Sequence, residues 1–441
     1  MDLSQLAAEL SETPVRRRIG RILRAGHGAL EIEGLAPVAR LGDQVTVAAR
    51  GAPDPVTGEI IALEGGLARA MTYGPAAGVG LGDSAELAPD PGPRPCLGWL
   101  GRVVDAFGRP LDGRPLPQGD PAPLQRPSPS PMARRRTGAR LATGLSAFDA
   151  LLPLVRGQRV GLFAGSGVGK STLLAQLARG LEADHAVIAL IGERGREARE
   201  FVEETLGPEG LARSIVVCAT SDRSPLEKRR AAWTALAAAE RLRADGAHVL
   251  LLVDSITRVA EAHREVALTA GEPPSLRAYP PSTSALLARL AERAGPGPEG
   301  EGDVTAVFSV LVAGSDMEEP IADMTRGLLD GHVVLTREIA ERGRFPAVDL
   351  GRSVSRALPG CASDEERALI ADARRAASLR ERAEPMLQAG LWQAGADPAS
   401  DRALRLHEGL EAFMAAPSTG PEDAYARLRA LLEADAAPAG G

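Results

Sequence analysis

The first residues of the chain follow a helical hydrophobic pattern. Four apolar residues share one helix face over residues 2–17, namely Leu3, Leu6, Ala7 and Leu10. The pair Thr13-Pro14 and the arginines after it end this pattern. A frayed terminus and a partner-docking helix over residues 1–17 are both compatible with it.

Between residues 18 and 90 the apolar stretches are short and are separated by Gly, Asp and Pro. The clearest of them are Ile19–Leu23, Ala29–Ile32, Gln44–Ala48 and Glu59–Ala62. Short strands bounded by turn residues predict a small antiparallel β-barrel. Pro89–Pro95 reads PDPGPRP, and a proline at every second position continues neither a helix nor a strand ladder. We therefore expect a domain boundary near residue 90.

The pattern becomes an alternation of buried strands and helices from about residue 141, after an irregular proline-rich segment at 113–136. The predicted strands are Val160–Ala164, Ala186–Ile191, Ile215–Ala219, His248–Val253, Thr305–Val312 and His332–Thr336. Strands that are apolar nearly throughout are typical of a parallel sheet covered on both faces. They predict a doubly wound α/β domain at 91–350. Residues 351–441 have helical spacing without strand runs, which predicts a helical C-terminal domain.

Composition narrows the class of protein. A chain of 441 residues is expected to form two or three domains. Its net charge of −7 and the lack of a basic stripe speak against nucleic-acid binding. The cysteines Cys96, Cys218 and Cys361 lie far apart and form no metal or disulfide pattern, which favours reduced thiols in the cytoplasm. We find no signal-peptide pattern and no apolar run long enough to span a membrane.

The clearest candidate for chemistry follows the first buried strand. Residues 164–171 read AGSGVGKS and precede a helix, as in a phosphate-binding P-loop, whose backbone N–H groups surround a phosphate. Lys170 would reach the β- and γ-phosphates of ATP, and the Ser171 hydroxyl would ligate Mg²⁺. Ala164 replaces the first glycine of the usual pattern. The residues expected to contact ATP here are Ala164, Gly165, Ser166, Gly167, Val168, Gly169, Lys170, Ser171 and Thr172.

Lysine is scarce in this chain, which makes the lysine of the P-loop informative. Of the 51 basic residues only Lys170 and Lys228 are lysine, so 51 − 2 = 49 are arginine. A compact ammonium fits a phosphate cradle, whereas a broad planar guanidinium does not. The lysine at position 170 therefore indicates a working site.

Two acidic residues follow other predicted strands. Asp254 ends the apolar stretch HVLLLVD, and beside a P-loop such an Asp helps to hold Mg²⁺. Glu193 follows the stretch IALI, where a carboxylate could orient the water that attacks the γ-phosphate. From spacing alone, Glu197 and Glu200 compete with Glu193 for this role. The histidines show no ligand spacing, and we assign them no site.

The order of several segments across residues 161–356 resembles one protein family. The segments are GLFAGSGVGKST, IGERGRE, LLLVDSITR, GEPPSLRAYPPS, DGHVVLTREIAERGRFPAVD and SVSR. Together they look like the ATPases of type III protein export, which are similar to the catalytic subunit of rotary ATP synthases. GHGALEIEGL and REIAERGRFPA are most similar to the flagellar export ATPases. The resemblance implies a RecA-like P-loop ATPase core between a β-barrel and a C-terminal helical domain.

The resemblance also implies roles for individual residues. Glu193 would polarise the attacking water, and Asp254 would support Mg²⁺. Phe345 occupies the position of an aromatic residue, usually Tyr, that stacks on adenine. Arg356 of SVSR matches an arginine finger that reaches the γ-phosphate held by a neighbouring subunit, typically worth about 10³–10⁵ in kcat. The expected catalytic residues are therefore Lys170, Glu193 and Arg356.

A finger supplied by a neighbour requires an oligomer, and the resemblance implies a homohexameric ring with ATP and Mg²⁺ between its subunits. The implied partners are a stator-like regulator at the N-terminal helix, a central stalk protein, export substrates with their chaperones, and the membrane export gate. The chain would be cytoplasmic and peripherally associated with the inner face of the cell membrane.

Other functions share parts of this pattern. The ATPase of a virulence secretion apparatus has the same chemistry with different cargo. A rotary ATP synthase catalytic subunit would carry an acidic DELSEED-type stretch, of which DEERAL at 364–369 is a faint match. A hexameric RNA translocase would need a basic, aromatic RNA-binding module, which is missing. A regulatory nucleotide binder would not need all four of Lys170, Glu193, Asp254 and Arg356.

Overall fold

The protein is described by a computed structural model that covers residues 17–26, 28–50, 53–312, 316–395 and 397–434. The helix predicted near the N-terminus lies outside the described residues. The chain divides into two compact units. The first unit contains the described residues up to Gly92 together with Asp222–Arg229 and Glu261–Thr283, and the second contains the rest.

The first unit contains a closed antiparallel barrel with the strand order β1-β2-β5-β4-β3-β6. Its strands are β1 Arg18–Gly26, β2 Ala29–Glu33, β3 Gln44–Ala48, β4 Val56–Glu64, β5 Leu67–Thr72 and β6 Ser84–Ala88. Leu30 and Ile32 are both buried in the barrel. They are two residues apart, and because successive side chains of a strand point to opposite faces, they share the inner face. The predicted barrel is confirmed, and β5 and β6 complete it beyond the four stretches that the pattern marked.

The second unit is built on a nine-stranded sheet with the order β15-β14-β8-β13-β11-β9-β10-β7 and the short β12 paired with β13. The strands are β7 Arg102–Val104, β8 Arg159–Ala164, β9 His185–Ile191, β10 Ser214–Ala219, β11 His248–Asp254, β12 Gly295–Pro296, β13 Asp303–Leu311, β14 Gly331–Leu335 and β15 Val348–Ser355. From β14 to β7 all neighbours on the main path are parallel. Every residue of β11 is buried, which explains its unbroken apolar run.

Helices alternate with these strands and confirm the predicted doubly wound α/β core. They are α1 Lys170–Gly180, α2 Gly195–Glu200, α3 Gly207–Ala212, α4 Pro225–Ala244, α5 Ile256–Ala270, α6 Ser282–Arg293, α7 Pro320–Leu328 and α8 Arg337–Glu341. Short 3₁₀ or π-helical turns lie at Leu97–Trp99, Ala147–Leu151, Phe201–Leu206 and Leu276–Ala278.

The sheet continues past the boundary predicted at residue 350. Strand β15 runs to Ser355 and pairs antiparallel with β14 at the edge of the sheet. The expectation that residues 351–441 contain no strand is therefore wrong for 351–355. The reason is that β15 has exposed positions at Gly351, Arg352 and Val354, so it lacks the continuous buried run of the inner strands.

Three helices follow the sheet, and they are α9 Asp364–Gln388, α10 Pro398–Ala415 and α11 Pro421–Ala434. Ser363 and Glu366 form a capping box at the start of α9. Arg374 of α9 donates to the carbonyl oxygens of Leu350 and Ser353 in β15, at 3.0 and 3.1 Å, and to that of Leu151 at 3.3 Å. Its guanidinium thus ties the helical layer to the sheet edge.

Among the described residues, no helix is long and apolar enough to cross a membrane.

Replacing Arg374 should weaken the attachment of the helical layer. Arg374→Ala would leave three main-chain carbonyls without their donor, which should lower the free energy of unfolding by about 2–4 kcal/mol. Urea unfolding followed by circular dichroism measures the loss. Arg375→Ala, at the exposed next position of the same helix, is the matched control. Equal stability of the two variants would contradict the anchoring role.

Candidate active site

The P-loop has the backbone geometry of an anion cradle. Strand β8 ends at Ala164 and helix α1 begins at Lys170. Gly167 and Gly169 have φ values of +78° and +83°, a left-handed conformation that favours glycine. Gly169 caps the helix without a side-chain hydrogen bond, so the N–H groups of the first turn can face an anion. Val168 is buried and anchors the loop to the core.

Lys170 is the centre of the ion cluster at this site. Its ammonium lies 3.3 Å from Glu193 Oε1 and also donates to Asp254 Oδ1. Glu193 follows β9 and Asp254 ends β11, and these two strands are neighbours in the sheet. The carboxyl ends of parallel strands meet at one sheet edge, which is why residues far apart in sequence converge there. The structure brings these three predicted residues together.

Ser309 is a site residue that the sequence analysis missed. It lies in β13, between β8 and β11, and is fully buried. Its hydroxyl donates a 2.5 Å hydrogen bond to Asp254 Oδ1, which fixes the orientation of that carboxylate. The signal in the sequence was a hydroxyl residue between apolar residues of a buried strand, because a buried hydroxyl needs a partner.

The three glutamates that compete for one role have different surroundings. Glu197 accepts a 2.7 Å hydrogen bond from Arg194, and this bond lowers the pKa of the Glu197 carboxyl. Glu200 is exposed on α2. Glu193 is the one of the three that contacts Lys170. This position favours Glu193 over Glu197 and Glu200 as the carboxylate that orients the water for attack on the γ-phosphate.

Phe345 lies against the end of the P-loop, as its expected role requires. A Cβ atom added to Gly169 would come within 3.0 Å of Phe345 Cδ1, so the ring sits directly over this glycine. The ring is half exposed. Arg337 of α8 contacts the carbonyl oxygen of Ser166 at 3.4 Å from the same side.

Arg356 lies away from the other predicted residues. Parallel pairing places Leu335, the last residue of β14, beside Ala164. Strand β15 runs in the opposite direction, and its end at Ser355 pairs with Gly331 at the start of β14. Arg356 therefore lies at the opposite ends of the strands from the P-loop, where it donates to the Arg326 carbonyl at 3.5 Å.

The oxygen atoms of Ser171 and Asp254 at the P-loop are suitable ligands for the Mg²⁺ of a magnesium nucleotide. Ser171 is exposed on the first turn of α1, next to Lys170 in the chain, and the Asp254 carboxylate is held by Lys170 and Ser309. Hydroxyl and carboxylate oxygens are hard ligands of the kind that Mg²⁺ prefers, with phosphate oxygens and water completing its shell.

The close approach of Phe345 to Gly169 makes this glycine sensitive to substitution. Gly169→Ala adds a Cβ atom 3.0 Å from the ring at a φ of +83°, so the loop or the ring must move. We expect about tenfold weaker binding of a fluorescent ATP analogue in a titration. Gly246→Ala, at a φ of +92° with nothing within 4 Å, tests backbone strain alone and should bind normally. Unchanged affinity in Gly169→Ala would rule out the tight contact.

Comparison with protein families supports the architecture. Residues 144–355 match the ATP synthase alpha/beta family, nucleotide-binding domain, and residues 362–433 match the T3SS EscN ATPase C-terminal domain. The chain also resembles the assembled ATPase EscN of the enteropathogenic E. coli type III secretion system. That likeness has a TM-score of 0.85 at 34% identity and covers 94% of this chain and 100% of that one. EscN in complex with its central stalk EscO gives a TM-score of 0.83 at 35% identity, with 94% and 100% coverage.

Curated relatives resemble the chain over nearly its whole length. It is 45% identical to the flagellum-specific ATP synthase of Caulobacter vibrioides, over 94% of this chain and 96% of the relative. The corresponding protein of Salmonella typhimurium is 41% identical, over 93% and 92%. The type 3 secretion system ATPase of Xanthomonas euvesicatoria is 39% identical, over 97% and 96%. The chain therefore belongs to the ATP synthase alpha/beta family, among the ATPases of type III protein export, and is an ATP hydrolase.

Proposed function

We propose that this chain hydrolyses magnesium-bound ATP to energise type III protein export for flagellar assembly. The observation that carries the proposal is the position of Lys170, whose ammonium contacts both Glu193 and Asp254 at the mouth of a P-loop. A cation between two carboxylates at a phosphate cradle is suited to phosphoryl transfer, in which catalysis is mainly positioning and charge stabilisation.

Each residue of the cluster has a distinct role in this proposal. Lys170 binds the β- and γ-phosphates, and Ser171 and Asp254 hold Mg²⁺, which neutralises charge on the phosphates. Glu193 orients and polarises the water that attacks the γ-phosphate. Ser309 keeps the Asp254 carboxylate in place through its hydrogen bond. The remaining P-loop residues, Ala164–Gly169 and Thr172, contact the phosphates through their main chain.

Phe345 would bind the adenine ring of ATP by stacking. It replaces the tyrosine usual in the family, and a phenyl ring retains the aromatic face that stacking needs. The ring is half exposed and adjoins Gly169, so a base can reach it while the phosphates occupy the loop.

The active site would be completed by a second subunit. Arg356 lies at the opposite edge of its own sheet from Lys170, which supports a finger that acts on the site of a neighbour. A head-to-tail contact of this kind closes into a ring when the rotation allows it. We propose a homohexamer in which Arg356 of each subunit stabilises the transition state in the next.

Similarity to these relatives suggests which proteins bind the ring and where in the cell it acts. By analogy with the stalk complex of EscN, a central stalk protein would bind this ring. The other proposed partners are a stator-like regulator, export substrates with their chaperones, and the membrane export gate, with the ring at the inner face of the cytoplasmic membrane. Flagellar relatives at 45% and 41% identity favour flagellar export, and the 39% identical secretion ATPase keeps virulence secretion as the second candidate.

Glu193→Gln should separate binding from turnover. The amide keeps the size of the side chain but cannot polarise water as a carboxylate does, so kcat should fall by about 10²–10⁴-fold while affinity for an ATP analogue stays nearly unchanged. A coupled phosphate-release assay and a binding titration measure the two effects. Glu197→Gln is the matched control, because Glu197 pairs with Arg194 instead of Lys170. Turnover like the wild type would remove Glu193 from its role.

The flagellar assignment is tested in the host cell. Deletion of the gene should abolish flagellar filaments and the release of flagellar subunits into the medium, both measured by microscopy and immunoblotting. The wild-type gene should restore them, and a Glu193→Gln gene should not. Normal filaments together with the loss of another secreted set would instead support the virulence function.

A further inference from the structure

A partly buried hydrogen-bond network surrounds Asp330, the residue that precedes β14. The Asp330 carboxylate accepts from the Arg159 guanidinium through both oxygens, with Nε to Oδ2 at 3.0 Å and Nη2 to Oδ1 at 3.2 Å. It also accepts from the Arg159 main-chain N–H at 3.0 Å. In return, the Asp330 N–H donates to the Arg159 carbonyl at 2.7 Å. Asp330 is therefore fixed to the first residue of β8 by both its main chain and its side chain.

The carbonyl oxygen of Asp330 connects this clamp to Arg356. It accepts from the Arg356 N–H at 3.0 Å and from the amide of Gln158 at 3.0 Å. Gln158 is almost fully buried, and its amide also lies 3.3 Å from the Ser355 hydroxyl. That hydroxyl donates to the Pro153 carbonyl at 2.7 Å. The Ser355 side chain is thus held by Gln158 and Pro153 from the segment before β8, and the Arg356 N–H by Asp330 at the start of β14.

Gly331 allows this close approach. Its φ is +153°, and an added Cβ atom would lie 2.6 Å from the Val354 carbonyl oxygen and 3.5 Å from the Arg356 nitrogen. A larger residue would push β15 and Arg356 away from β14. A side chain at position 331 therefore offers an independent way to displace Arg356 without touching the Asp330 carboxylate.

Strand β8 links the two functional ends of the subunit. Its last residue, Ala164, opens the P-loop, and its first residue, Arg159, clamps Asp330. At 3.3 Å per residue of parallel strand, the two ends are about 17 Å apart. A short strand inside a sheet is rigid, so the position of the P-loop determines the position of the main chain that carries Arg356.

We propose that Asp330, clamped by Arg159, is a positioning residue that aims Arg356 at the active site of the neighbouring subunit. This inference rests on the trans role of Arg356 proposed above. Asp330 does not touch ATP. It acts through its carbonyl bond to Arg356, and β8 is the mechanical link between the phosphate cradle of one site and the finger of the next.

The direct test is Asp330→Asn in the full-length protein. The amide loses the charge and one of the two guanidinium bonds, so the finger should shift, and kcat should fall by about 10- to 100-fold, since small displacements of catalytic groups have effects of this size. The KM for ATP should stay within about twofold, because the P-loop is untouched. Glu292→Gln is the matched control, because it neutralises the carboxylate that accepts from the same guanidinium at 2.6 Å and leaves Asp330 clamped. Wild-type kcat in Asp330→Asn would overturn the proposal.

Mixed rings distinguish a misplaced finger from general damage. Lys170→Ala subunits have an inactive P-loop and a correctly placed Arg356. Asp330→Asn subunits should have an active P-loop and a misplaced Arg356. In an equimolar mixture about a quarter of the head-to-tail interfaces combine the intact halves, so activity should exceed that of either variant alone. Failure of this rescue would show that Asp330→Asn damages its own cradle and would overturn the proposal.

Two further mixtures complete the experiment. Arg356→Ala mixed with Lys170→Ala tests the trans finger itself; absence of rescue there would refute the proposed function and not only the role of Asp330. Gly331→Ala should behave like Asp330→Asn, with a lowered kcat that Lys170→Ala subunits rescue, because it displaces the same main chain by steric contact. A Gly331→Ala variant with normal kcat would contradict the need for a fixed main chain at Arg356.

Discussion

The contact of the Lys170 ammonium with Glu193 and Asp254 is the interaction on which the rest of the site depends. Asp254 is buried at the end of a core strand, and a buried carboxylate without a partner is strongly destabilising. Lys170 and the hydroxyl of Ser309 supply the partners. Ser309 lies in a strand of the same parallel sheet, and Lys170 begins the helix that follows strand β8 through the P-loop. The strand order that stabilises the core therefore also brings these charged and polar groups together at the carboxyl ends of the strands.

A second constraint follows from the direction of the strands. Because β15 is antiparallel to β14, the chain returns to the opposite edge of the sheet before it reaches Arg356. One subunit therefore carries a cradle at one edge and an arginine at the other, an arrangement suited to a head-to-tail ring. Strand β15 is also where the C-terminal helices attach, because the Arg374 guanidinium donates to the main-chain carbonyls of Leu350 and Ser353, upstream of Arg356.

Arginine and lysine have different tasks in this molecule. Arg159 and Arg374 each use several N–H groups at once, on a carboxylate and on main-chain carbonyls, which suits a planar fork of donors. Lys170 acts instead as a compact charge that two carboxylates share. These two arginines thus hold parts of the framework together, whereas one of the two lysines of the chain lies at the phosphate cradle.

The sequence by itself determined the barrel, the parallel strands, the P-loop and the acidic residues at strand ends, because these depend on local spacing and on residue types at fixed offsets. Spacing alone could not choose between Glu193 and its neighbours, although the family resemblance favoured Glu193. The sequence did not reveal Ser309 or the strand character of 351–355. These depend on which strands lie side by side, and hydrogen bonds such as Ser309–Asp254 join residues 55 apart in the chain. Only the tertiary structure decided that Lys170 meets Glu193, and that Arg356 faces away from both.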